Sequence, residues 1–328
     1  MILNSHMVKC GGTTLNHIFM NNFGNNFVQV YPLSGKKDRY GRIIISNEDI
    51  DKYLELNKNL KVISGHSIRL FEGQYTALPK SKNIIFLRNP YDRVLSHNNH
   101  WKPEELTRQW FETPPPKPPL FKLPKFLKYK EPKLWTGKRK NINSLSPIAA
   151  ESNYLVKCIA NEENLELAKK ILTENFEMVG LVEEFDVSLL MMKQRLNLSN
   201  SFDIRYKNVN RGKKYAKFDS IPSHLKDQIK ENNLLDMELY DFAKTTIFQQ
   251  QIKEYKGNLK SDKIEFINSL ENFNFSKIKI FLHRYQRYFY YNRKIKQNFN
   301  ACVCSRVIED GISMCSECES YLSKNIKY

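Results

Sequence analysis

Near its start the chain runs His6-Met-Val-Lys-Cys-Gly-Gly-Thr-Thr-Leu15 and continues into Asn16-His-Ile-Phe. A short apolar run enters a Gly-Gly pair, and the pair opens a segment with apolar residues at helical spacing. This reads as strand, tight turn, helix, a unit that belongs in a sheet covered by helices. It constrains chemistry as well as fold. Glycines let a backbone approach a phosphate closely, and a helix N-terminus offers unsatisfied amides with a positive dipole. Thr13 and Thr14 add hydroxyls, and Lys9 adds a point charge at the entrance, while Cys10, Gly11 and Gly12 supply the bend. The order is not that of a Walker A loop, G-x-x-x-x-G-K-[ST], because the lysine precedes the glycines. An ordinary strand–helix turn containing a Gly pair is the alternative.

Apolar runs at residues 2–8, 60–63 and 83–87 read as buried strands, and a fourth follows at 178–182. Helical periodicity is clear over 164–176, where Leu165, Ala168, Leu172 and Phe176 share one face. It recurs over 188–196 and 234–247. Strands alternating with helices predict an α/β fold around a largely parallel sheet with both faces covered. The opening strand is short, as in a chain trimmed at its N-terminus.

The strand at 83–87 runs into Arg88-Asn-Pro-Tyr-Asp-Arg-Val-Leu-Ser96. Asn89 suits a helix N-cap and Pro90 the first helical position. Ser96 then lies about two turns into the helix. An Arg at the carboxyl end of a strand faces the crevice where open α/β sheets bind ligands, and its guanidinium can grip a phosphate through two hydrogen bonds. Pairing with Asp92 to fix the turn is the other reading of Arg88.

Together these two segments resemble the nucleotide-binding elements of sulfotransferases that use 3'-phosphoadenosine 5'-phosphosulfate (PAPS). Lys9-Cys-Gly-Gly-Thr-Thr-Leu15 resembles the family's Lys-containing loop for the 5'-phosphosulfate. The Arg88…Ser96 segment resembles its Arg…Ser pair for the 3'-phosphate, with Asn89 where Asp is commoner. The resemblance is closest to the branch acting on carbohydrates, which includes the uronyl and heparan 2-O-sulfotransferases and bacterial relatives. It continues in order through Asn153-Tyr-Leu-Val-Lys, Leu167-Ala-Lys-Lys-Ile-Leu, Val179-Gly-Leu-Val-Glu-Glu-Phe-Asp and Asp236-Met-Glu-Leu-Tyr-Asp-Phe-Ala. Val209-Asn-Arg-Gly-Lys is a short match to a basic segment near the 3'-phosphate. The resemblance implies a P-loop-like α/β sandwich with a central, mainly parallel sheet over residues 1–250. It also implies PAPS as sulfuryl donor, held by Lys9, Cys10, Gly11, Gly12, Thr13, Thr14, Arg88, Ser96, Arg211 and Gly212.

Sulfuryl transfer needs a base for the acceptor hydroxyl and positive donors on the departing phosphate oxygen. Ile63-Ser-Gly-His-Ser67 sets His66 just past the carboxyl end of a strand, the sheet edge that also carries Lys9 and Arg88. The resemblance implies that His66 is the general base and that Lys9 stabilises the leaving phosphate. A histidine that merely caps a turn is the alternative. The chemistry requires no metal.

With 52 Lys+Arg against 35 Asp+Glu, the net charge of +17 points to an anionic partner such as phosphate, sulfate, polysaccharide, nucleic acid or a membrane surface. Residues 112–140 form a Pro-rich basic insertion, which reads either as a solvated loop or as a lid for an anionic acceptor. Residues 251–300 read as a basic aromatic helical segment. Within it, 277–296 holds seven Lys or Arg and no acid, a surface for a membrane or another subunit.

Residues 301–328 form a Cys-rich tail in which Cys302, Cys304, Cys315 and Cys318 give C-x-C-x10-C-x2-C. Four thiolates in two close pairs can close a structural zinc site, and incidental free thiols are the alternative. The expected architecture is thus the α/β core plus a helical and Cys-rich C-terminal appendage. The first residues lack a basic region followed by an apolar stretch, and no run of eighteen apolar residues occurs, so the expected address is cytoplasmic, with peripheral membrane contact through 277–296 and no transmembrane span. The acceptor expected is a carbohydrate, anionic or lipid-linked. The competing functions are a P-loop-type kinase and a nucleic-acid-binding protein with a zinc tail.

Overall fold

In a computed structural model, which describes residues 1–98, 151–206, 218–271 and 273, the apolar runs assemble into one five-stranded sheet in the order β2-β3-β1-β4-β5. The chain passes through β1 (Ile2–Ser5), α1 (Gly12–Phe23), β2 (Phe27–Gln29), α2 (Asn47–Leu56), β3 (Val62–Gly65), β4 (Lys82–Leu87) and α3 (Pro90–Asn98). Further on come α4 (Tyr154–Ala160), α5 (Leu165–Glu174), β5 (Met178–Leu181) and α6 (Phe185–Arg195). The described residues close with α7 (Ser223–Asn232), α8 (Leu234–Phe242), α9 (Phe248–Lys253) and α10 (Leu259–Leu270). All four strand pairings are parallel, so every crossover has to leave the sheet and return, and helices line both faces.

Two large apolar clusters form around the sheet. Ile2, Val62 and Ile84 pack with Leu15, Ile18 and Phe19 of α1 and with the later helices. Leu3, Val28 and Ile63 pack with Ile50, Tyr53 and Leu56 of α2. In β1, β2 and β3 successive residues therefore feed opposite clusters, whereas Ile84, Ile85, Phe86 and Leu87 of β4 all join the first; burial on both faces is why the strands read as continuous apolar runs. The polar residues within them are satisfied internally. Asn4 Nδ2 donates to Ser64 Oγ at 2.9 Å, and Ser64 Oγ donates to Asn16 Oδ1 at 2.8 Å, linking β1, β3 and α1.

The expected strands at 83–87 and 178–182 and the helix at 164–176 lie where the pattern put them, within two residues. Four boundaries moved, among them that of the helix expected at 188–196, which is α6 at Phe185–Arg195. β1 stops at Ser5 because the chain turns at once, with the Cys10 amide donating to the Met7 carbonyl at 3.2 Å. The strand expected at 60–63 is displaced to Val62–Gly65, since the Asn4–Ser64 bond lets a polar residue stay in the ladder. The helix expected at 234–247 is α8 followed by a wide π turn at Ala243–Ile247.

Four elements were missed, β2, α2, α4 (Tyr154–Ala160) and α7 (Ser223–Asn232). β2 has only three residues, too few for a pattern. α2 carries a capping box, with Ser46 Oγ accepting from the Asp49 amide at 3.1 Å and Asp49 Oδ2 accepting from the Ser46 amide at 3.0 Å. The insertion at 112–140, the basic segment at 277–296 and the Cys-rich tail lie outside the described residues, as do Arg211 and Gly212. Among the described residues no helix is long and apolar enough to cross a membrane.

Candidate active site

β3, β1 and β4 are adjacent in the sheet, and their carboxyl ends open onto one edge. His66 follows β3, residues 6–14 follow β1, and Arg88 follows β4. β1 connects toward β2 on one side while β4 leads away on the other, so this edge is the topological switch point where such sheets take ligands.

The turn after β1 departs from ordinary backbone twice. Lys9 sits in the left-handed region at φ 66°, and Gly11, the N-cap of α1, sits there at φ 78°. Gly12 is set by space: a Cβ there would stand 1.6 Å from Nε2 of the buried His6 ring. Gly12→Ala is therefore expected to lower stability by about 3 kcal/mol, the upper end of overpacking costs, because the atom met is a rigid buried ring. Urea denaturation checks this, and an unchanged midpoint would mean that the turn moves aside.

The Thr14 and Leu15 amides both close on the Gly11 carbonyl, at 3.1 and 3.2 Å. The amides at the mouth of the helix are thus those of Gly12 and Thr13, and Thr13 is exposed. Lys9 is half-buried beside this mouth, and burial, reinforced by the Arg88 guanidinium, pushes its ammonium down to about 8. Burial pushes the Cys10 thiol up to about 12, so Cys10 is a neutral packing group whose Sγ donates to the Val8 carbonyl at 3.6 Å. It is no nucleophile.

Arg88 reaches the same turn, its Nη1 donating to the Lys9 carbonyl at 3.4 Å. Asn89 caps α3 as its type suggests, with Oδ1 accepting from the Tyr91 amide at 3.0 Å and the Asp92 amide at 3.4 Å. The Asn89 amide in turn donates to Glu183 Oε1 at 2.8 Å, and Tyr240 donates its hydroxyl to Glu183 Oε2 at 2.8 Å. The turn below Arg88 is thereby pinned from α8. Ser96 is half-buried on α3, and a rise of 1.5 Å per residue places it about 9 Å along the axis from Pro90.

His66 is the half-buried residue on the other side of β1. Its Nδ1 lies 2.9 Å from the His6 carbonyl oxygen. A carbonyl can only accept, so Nδ1 carries the proton and the lone pair resides on Nε2. The loop is fixed behind it, for Arg69 Nη1 donates to the His66 carbonyl at 2.5 Å and to the Ile68 carbonyl at 3.0 Å.

Sequence reasoning missed two residues. His6 was quoted as the start of the motif yet given no role; its ring lies 3.8 Å from that of His66. Arg93 is wholly buried, its guanidinium carbon 4.5 Å above the Tyr154 ring, and its three nitrogens make no hydrogen bond among the described residues. Nearby, the buried Asp236 carboxylate accepts from the Leu155 and Val156 amides, each at 2.9 Å, and so caps α4. Nothing local marks an arginine three residues past a helix-starting proline as a core residue.

Among the described residues no group of three or more His, Cys, Asp or Glu side chains is placed to hold a metal ion, and the four tail cysteines lie outside them. In comparison with known proteins, the sequence model of the Sulfotransferase family matches residues 1–243. No curated protein matches the chain.

Proposed function

The chain belongs to the sulfotransferase family, a family of transferase enzymes, and from that premise we propose that it moves a sulfuryl group from PAPS to a hydroxyl of a carbohydrate. The observation that carries this reading is the convergence of three strand ends: the donor turn after β1, Arg88 after β4 and His66 after β3. Bound PAPS would supply the activated S–O bond and, as the bond breaks, adenosine 3',5'-bisphosphate as leaving group. Lys9 with the Gly12 and Thr13 amides faces the 5' side, where charge grows on the departing oxygen. Arg88 and Ser96 serve the 3'-phosphate, joined by Arg211 and Gly212. His66 Nε2 takes the acceptor proton while the hydroxyl oxygen attacks sulfur from the side opposite the leaving oxygen.

The carbohydrate acceptor is supported by the resemblance of both motifs to the carbohydrate branch and by the +17 charge, which favours anionic glycans. The basic insertion at 112–140 fits as the wall against such an acceptor. The tail cysteines Cys302, Cys304, Cys315 and Cys318 would hold one structural zinc apart from the chemistry, since four thiolates leave no open position.

The test is transfer of labelled sulfate from PAPS to a panel of glycosaminoglycan, bacterial polysaccharide and lipid-linked acceptors, beside binding of adenosine 3',5'-bisphosphate, ATP·Mg and nucleic acid. Transfer to none of the acceptors, with ATP·Mg or nucleic acid bound in preference to the bisphosphate, would overturn the reading. Arg88→Ala sharpens the test. Loss of a charge-assisted phosphate contact costs about 1.5–3 kcal/mol, so this variant is expected to bind the bisphosphate more weakly by that amount. Adenosine 5'-phosphosulfate, which lacks the 3'-phosphate, should lose far less. Equal losses would return Arg88 to a structural role in the turn.

A further inference from the structure

The donor turn and His66 are in physical contact through one side chain that the proposed mechanism does not use. His6 leaves β1 with its amide donating to the Gly65 carbonyl at 3.1 Å, continuing the parallel ladder, and its own carbonyl then accepts from His66 Nδ1 at 2.9 Å. Its ring lies against the His66 ring, with centroids 3.8 Å apart and the planes tilted by 34°. Its Nε2 edge lies against Gly12, where even a methyl group finds no room. One residue thus touches the first turn of α1, the ladder between β1 and β3, and the histidine proposed as base.

Resting on the function proposed above, we infer that His6 is the positioning residue for His66, seating the base against the donor turn so that its Nε2 faces the acceptor. The division of labour between the two rings is visible in their surroundings. His6 is buried and its Nδ1 has no hydrogen-bond partner among the described residues, whereas His66 is half-buried at the rim. Among the described residues the charged and titratable groups facing His6 are His66 from the loop after β3 and Lys9 from its own turn, while α1 presents the uncharged Gly12. Burial first, then His66, then Lys9 push the His6 imidazole well below the ordinary histidine range. Among the described residues nothing accepts or supplies a proton at His6 Nδ1, which favours a positioning role for the ring over a relaying one. It stays neutral, and a neutral neighbour leaves His66 free to accept the catalytic proton where two imidazoliums at 3.8 Å would repel.

Two measurements test this. In protein labelled with ¹⁵N histidine, free of donor and acceptor, ring resonances assigned with His6→Phe and His66→Asn should show His66 as the Nδ1–H tautomer at neutral pH. His6 should remain uncharged throughout the range in which His66 titrates. A His6 ring that gains its proton before His66 does, or a His66 ring protonated on Nε2 when neutral, would overturn the inference. In turnover, a misplacement of about 1 Å costs roughly 10²-fold, and His6→Ala is expected to lose kcat by about that factor while still binding adenosine 3',5'-bisphosphate. His6→Phe restores a flat uncharged ring and should recover most of the loss. A folded His6→Phe that binds the bisphosphate yet turns over as slowly as His6→Ala would show that a ring nitrogen of His6 takes part chemically. Should His6→Phe not fold, the wild-type spectrum, assigned with His66→Asn alone, decides. The spectrum needs no substrate, so failure of this inference is distinguishable from failure of the sulfotransfer assay.

Discussion

His66→Ala is expected to lower kcat for sulfate transfer by about 10²–10⁴-fold, the usual contribution of a positioned general base, and to leave adenosine 3',5'-bisphosphate binding as it was. The separation follows from placement: His66 hangs from the loop after β3, and the elements proposed to hold the nucleotide hang from β1 and β4. His66→Asn is the more telling variant. Its amide can still donate to the His6 carbonyl that now accepts from Nδ1, so the loop keeps its anchor, but an amide cannot accept a proton at neutral pH. It should be as slow as His66→Ala. A His66→Asn enzyme with near wild-type turnover, or a nucleotide-binding defect as large as the kinetic one, would remove His66 from the base role.

Lys9→Met is expected to reduce kcat/KM by about 10²–10³-fold, the loss seen when one preorganised donor to a developing oxyanion is removed. Lys9 also gives binding a pH signature with a definite sign. Its ammonium is pushed down to about 8 by burial and by Arg88, below the ordinary lysine value of 10.5. In the free protein the cation is present below about pH 8 and lost above it. An anion beside Lys9 restores the proton, so binding takes one up at higher pH. Affinity for adenosine 3',5'-bisphosphate should be level below pH 8 and fall by up to about tenfold per pH unit above it. The folding equilibrium of the free protein runs the other way. Between about 8 and 10.5 the unfolded chain holds the Lys9 proton that the folded chain has released, so stability from this group rises with pH in that window. Isothermal titration between pH 7 and 10 reads the binding slope. The slope should vanish in Lys9→Met; a slope retained there would assign the titration to another group.

Much of the scaffold was legible because it is written in short stretches of chain. The Gly-Gly turn, the strand at 83–87 with Asn89 and Pro90 beyond it, and the apolar stripe of α5 each depend on neighbours within a few residues. Chain sterics, capping and burial on one side of a helix act over that range. β2 and α2 failed for opposite reasons. Three residues are too few to show an alternation, whereas α2 carries a local signature in the capping pair Ser46 and Asp49.

The candidate site was legible residue by residue but not as an arrangement. Lys9, Arg88 and His66 each stand just past an apolar run, and that much is set within a few residues of chain. That those runs become neighbours in the order β3-β1-β4 was decided only by the fold, which pairs segments some sixty and eighty residues apart (Ile2 with Val62 and with Lys82) to bury both sheet faces at once. The His6–His66 ring contact and the burial of Arg93 over Tyr154 are consequences of the same closure. Local sequence fixes which groups lie at a strand's end, because that is set by backbone propensity and burial of the strand itself. Which groups share a crevice is set by the packing of distant strands and helices around shared cores, and no short window of residues contains that information.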